Sequence, residues 1–150
     1  MRMQAMLDHS PSPACTAAVT DFATHMRLDP QALLGGQRFD CKGMGFRLDH
    51  HGPLDTDGVV LVLEIGEFAP GQDSFVCRRL LEHHLRLPVT RFGYYALAPG
   101  RDMVLYCLRI DVTQPHAHEA IAAAIETMST GMEATLAQVA DVLEEAARSA

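Results

Sequence analysis

Hydrophobic and polar positions along this chain repeat with two periods, and the switches between them mark out its elements. Val19, Phe22, Ala23 and Met26 stand three and four residues apart, which is one face of a helix beginning near Ala14. Asp29-Pro30 ends that run, because the residue before a proline is pushed out of the helical region. A loop with Leu33, Leu34, Gly35 and Gly36 follows. From Phe39 to His50 the period shortens to two: Phe46 and Leu48 alternate with Arg47 and Asp49, as in a half-exposed strand that His51-Gly52-Pro53 closes. The polar stretch Leu54 to Gly58 has room for a small additional strand. Val59 to Ile65 is almost wholly apolar, with Val59, Leu61, Leu63 and Ile65 on one face and Val60 and Val62 on the other. Such a strand is covered on both faces, or by a helix on one and a partner on the other.

The helical period returns at Asp73. Val76, Leu80, Leu81, Leu85 and Leu87 oppose Arg78, Arg79, Glu82 and Arg86, and Pro88 stops the element. Phe92 to Ala98 and Met103 to Ile110 then read as two strands joined by Pro99-Gly100, the proline fixing φ and the glycine accepting a positive φ. From His116 to Ala147 a long helix is predicted. Ile121, Ile125, Met128, Met132, Leu136, Val139 and Leu143 line one side, Glu126, Glu133, Asp141, Glu144 and Glu145 the other, and Pro115 sits where helices start. Gly131 inside it costs about 1 kcal/mol relative to alanine and marks a candidate bend. The fold class that results is α+β: an antiparallel sheet flanked by helices, in the order α-β-β-β-α-β-β-α. One domain spans 14–150, behind a flexible lead at 1–13 whose two prolines and polar residues offer nothing to bury.

With 150 residues, 48% of them apolar and 21% charged, the chain can bury one core and lacks the signature of disorder. A net charge of -7 disfavours nucleic acid and suits a basic polypeptide partner. No apolar run approaches the roughly 20 residues that span a bilayer. Met1 to Ala14 lacks the uninterrupted apolar core of a secretory signal, so a cytoplasmic address is expected. Cys15, Cys41, Cys77 and Cys107 form no CxxC, which favours free thiols in a reducing compartment, with Cys107 packed as a small hydrophobe.

Residues capable of chemistry are present but scattered. Cys77 and His84 share a helix face with His83 adjacent, yet zinc needs three or four converging ligands. His116 and His118 would point about 200° apart on a helix and so not chelate together. His50-His51 belongs to a turn. Ser74, Ser129 and Ser149 lack a GxSxG context, and Gly43-Met44-Gly45 continues into no phosphate-binding loop. The expectation is therefore no enzyme, no cofactor and no metal. A small metal-dependent enzyme ranks third among the readings and would be decided by metal analysis. Exposed methionine and tyrosine instead suit a surface that accepts varied partners.

Several of these segments carry a family likeness: the Phe22 to Leu28 helix end with Leu33-Leu34, Gly45-Phe46-Arg47-Leu48-Asp49, Leu80-Leu81-Glu82-His83-His84-Leu85, the Leu97-Ala98-Pro99-Gly100 turn, and the acidic last helix. From Ala14 onward the chain resembles the Tir chaperone (CesT) family, the class I chaperones of bacterial type III secretion. The resemblance implies a homodimer that binds the N-terminal segment of a secreted effector before export, without nucleotide. It implies a dimer built on the second long helix and neighbouring strands, for which Val76, Leu80, Leu81, His84, Tyr94, Tyr95 and Leu97 are the candidates. The effector segment would wrap around apolar patches of the first helix and the sheet, with Phe22, Met26, Leu33, Leu34, Phe46 and Leu48 as candidates. The family has three strands before that helix, and here the middle one is compressed near Leu54 to Asp57. The alternative is a regulatory module of the same fold that sequesters a protein of a transcriptional cascade.

Overall fold

Ser12 sets where the first described helix begins. Its hydroxyl accepts from the Cys15 N–H at 3.1 Å, and Pro13 takes the first helical position, where no N–H is needed. The structure, a computed structural model, describes residues 10–86 and 93–149. Helix α1 (Pro13–Met26) ends at Arg27 in the left-handed conformation, whose N–H reaches back to the Ala23 and Thr24 carbonyls. The Asp29 carboxylate then accepts from the Gln31 N–H and caps α2 (Pro30–Leu34), a five-residue helix where a loop was expected. One turn and a half is too short to display a period.

Strands β1 (Phe39–Cys41), β2 (Met44–Asp49) and β3 (Gly58–Glu67) precede α3 (Asp73–Arg86), and the hairpin β4 (Gly93–Leu97) and β5 (Met103–Asp111) follows it. They form one antiparallel sheet in the order β1-β2-β3-β5-β4. The α+β class read from the sequence is the observed one. The three strands before α3 arise differently from the expectation. Phe39 to His50 is two strands, because Lys42 and Gly43 both take positive φ, as a two-residue hairpin turn requires, and bring Phe39 opposite Phe46. No strand forms at Leu54 to Asp57; a 3-10 turn over Gly52–Leu54 leads into it, and Leu54 is exposed. At the second hairpin Gly100 takes φ +69 and the Arg101 N–H closes on the Ala98 carbonyl, so Pro99-Gly100 is the turn expected. Leu87, Pro88 and Phe92, expected at the end of the third helix and the start of the strand, lie outside the described residues.

The long C-terminal helix is two: α4 (Ala117–Gly131) and α5 (Glu133–Arg148), parted at Met132 beside Gly131. The α helices share one face of the sheet. Phe22, Val76, Ile121, Ile125, Val139 and Val142 pack with Val59, Leu61 and Leu63 of β3 and Val104, Tyr106 and Ile110 of β5. Val60, Val62, Leu105 and Cys107 point the other way and form a second cluster with Ala98 and Met103, which no described helical residue joins. Long side chains lie over this second face instead: the Arg38 guanidinium occupies the space a side chain on Gly45 would need, and Arg109, paired with Asp55, does the same at Gly58. The near-continuous apolar run of β3 is thus explained by two unequal coverings. No described helix is long and apolar enough to cross a membrane.

Candidate interaction surface

Helix α3 has more apolar surface than the protomer covers. Val76 and Leu80 are buried against the sheet, whereas Leu81 is 60% and Leu85 90% exposed. With Cys77 and Leu97 these two leucines line an open groove of about 820 Å³, rimmed by Asp73, Arg78 and Glu82. Covering a leucine side chain from full exposure contributes about 1.5–3 kcal/mol, so two uncovered leucines on one helix are a strong inducement to association. The polar side of α3 is fixed to the body: Arg79 pairs with Glu82 at 2.7 Å and with Glu145 of α5 at 3.2 Å.

The outer edge of β4 is engaged by α3. His84 Nε2 accepts the Tyr95 backbone N–H at 2.7 Å, and its ring stacks on that of Tyr95 with centroids 5.1 Å apart and planes 9° apart. Burial holds the His84 pKa below its ordinary 6.5, which matches a neutral ring acting as acceptor. β1, at the opposite end of the sheet, pairs with β2 alone among the described residues. On the face away from the helices Tyr94 is 42% exposed and stands beside Cys107. Burial first, then the Asp49 charge, pushes the Cys107 thiol up to about 11, leaving it protonated and a poor nucleophile. All four cysteines are free.

The expected dimer residues divide between core and surface. Val76, Leu80 and Tyr95 are buried within the protomer, while Leu81, His84, Tyr94 and Leu97 reach the surface and Cys77 and Leu85 join them. The expected effector-binding patch is corrected more heavily. Phe22, Leu33, Phe46 and Leu48 are core residues. Phe39 lies between Phe22 and Phe46, with ring centroids at 5.7 and 6.0 Å, so the inward faces of α1 and β2 are packed on each other and not open to a ligand. Met26, 40% exposed, and the half-buried Leu34 remain at the outer margin of α1 and α2.

One constellation is absent from the sequence reading. His116 takes a left-handed conformation, φ 58 and ψ 40, ahead of the first turn of α4. That departure from the helix brings its ring within 6.2 Å of His118, centroid to centroid. His118 in turn stacks on His25 of α1 at 4.3 Å. The sequence presents His116 and His118 as a pair, but no alternation or spacing joins them to His25, so their stacking partner was not legible there. Among the described residues, no three His, Cys, Asp or Glu side chains are placed to hold a metal ion. No family model matches the chain, and no curated protein matches it.

Proposed function

We propose that the protein is a cytoplasmic type III secretion chaperone that works as a homodimer and holds the N-terminal segment of a secreted effector in a partly extended state. The observation that carries the reading is the uncovered groove of Leu81, Leu85 and Leu97 on a fold whose element order agrees with the resemblance. The groove, with Tyr94 on the other side of the β4 edge, is the proposed dimer contact. Because His84 already occupies the Tyr95 N–H, an added strand fits the β1 edge better than the β4 edge. Met26 and Leu34 stand at the helical margin as the apolar contacts left open to the segment. Capture by apolar burial and strand addition needs neither nucleotide nor catalytic group.

The test is co-purification with the N-terminal segment of a secreted protein encoded by a neighbouring reading frame. The expected product is two copies of this chain per segment, with the bound segment still open to protease along part of its length. A monomer that captures no such segment would overturn the reading.

A further inference from the structure

We propose that His84 is a proton-operated latch, which fastens the last turn of α3 to the edge of β4 when its ring is neutral and releases it when the ring is charged. The Tyr95 backbone N–H donates to His84 Nε2 at 2.7 Å, so Nε2 carries a lone pair and the proton of the neutral ring is on Nδ1. The ring takes the place on the β4 edge that a carbonyl of a neighbouring strand would take. It also lies nearly parallel to the Tyr95 ring, with planes 9° and centroids 5.1 Å apart. Hydrogen bond and stack together fix one side chain in one pose across the seam between helix and strand. A proton added at Nε2 turns the acceptor into a donor and sets two N–H groups against each other. A cation is attracted to an aromatic face, but the charged ring keeps that attraction only by staying in this confrontation, so it swings out and leaves the Tyr95 N–H open.

The surroundings of the ring suit this response. Burial is what holds the His84 pKa below 6.5. The titratable groups facing it are Tyr95 of β4, with Tyr106 of β5 edge-on to that ring at 5.6 Å, and Cys77 of α3, which lines the same cavity of about 50 Å³. On α3 itself and on α5, which packs against it, Glu82 and Glu145 are both paired with Arg79. His83, the next residue, projects about 100° around the helix from His84. Val76 and Leu80 are buried against the sheet independently of the latch, which confines the release to the last turn of α3. Cys77, Leu81 and Leu97 line both the small cavity and the open groove, so latch and groove share one seam, and a released turn carries Leu85 away from Leu97.

The test is hydrogen exchange of the full chain resolved by NMR, with protection expressed relative to an unstructured peptide at each pH. Between pH values of about 7.5 and about 5 the Tyr95 amide should lose about tenfold or more of its protection, while the amides that pair β3 with β5 keep theirs. His84→Gln retains an acceptor that does not titrate, so its Tyr95 amide should stay protected at both values. His83→Gln should behave as the parent. Weaker association on the same acidification is the expected consequence, and it rests on the reading of the groove as the dimer contact. A chain that is monomeric at both pH values and still loses Tyr95 protection on acidification upholds the latch and removes that reading. Equal Tyr95 protection at both values overturns the latch. So does an equal loss in His84→Gln, or a loss shared by the β3–β5 amides, which is general unfolding.

Discussion

Phe46 is fully buried between β1 and the helices, and that position decides what its substitution reports. Phe46→Asp places a carboxylate where nothing pairs with it, at a cost of several kcal/mol against a total stability of about 5–15 kcal/mol. The expected outcome is loss of the fold, seen in denaturant melts, and loss of partner capture only as its consequence. A stable, dimeric Phe46→Asp protein with impaired capture would restore Phe46 to the binding surface. The sequence could not separate these cases, because a strand that alternates Phe46 and Leu48 with Arg47 and Asp49 looks the same whether a helix or a ligand covers it. His84 is a second residue whose setting governs a measurement. Its folded pKa lies below 6.5, so the unfolded chain takes up the proton first as the pH falls. The stability it contributes is present above 6.5 and is lost as the pH falls through the folded value. His84→Gln keeps an acceptor for the Tyr95 N–H and does not titrate. Its stability should therefore depend less on pH below 6.5 than that of the parent, compared by denaturant midpoints at a series of pH values, and an unchanged slope would remove His84 from the account.

At the level of elements, the long strands were legible and the shortest elements were not. β3 and β5 each carry a long, nearly continuous apolar run, and the helical spacing of α1, α3 and the C-terminal helices is equally plain. β1 and α2 have three and five residues, and both owe their existence to local backbone chemistry: a positive-φ Lys42-Gly43 turn and an Asp29 cap. The break between α4 and α5 was legible through Gly131 alone. A side chain there would meet nothing within 4 Å and would not be strained by a positive φ. Gly131→Ala should therefore stabilise the protein by about 1 kcal/mol, through a less free unfolded chain and a better helix former. A lower melting temperature for Gly131→Ala would mean that the bend at Met132 depends on the glycine itself.

For the whole molecule the decisive fact is that its apolar surface is unevenly covered. One face of the sheet has four long or medium helices packed on it, whereas no described helical residue joins the cluster of Val60, Val62, Leu105 and Cys107 on the other, and α3 leaves two leucines in the open. The candidate site was legible as a helix with too much apolar surface, since Leu81 and Leu85 share α3 with charged residues. Which of its residues stay outside depends on how α3 rolls against β4, which no spacing specifies. Because Leu81 and Leu85 touch little within the protomer, charging them separates association from folding. Leu81→Glu with Leu85→Glu should convert a dimer into a monomer in light scattering while leaving the far-ultraviolet spectrum unchanged. The melting temperature of the parent should rise with protein concentration, as it does when folding and assembly are linked, and that of the double variant should not. If the variant remains a dimer of undiminished stability, copies of the chain meet elsewhere, and the uncovered second face of the sheet around Tyr94 becomes the surface to substitute next.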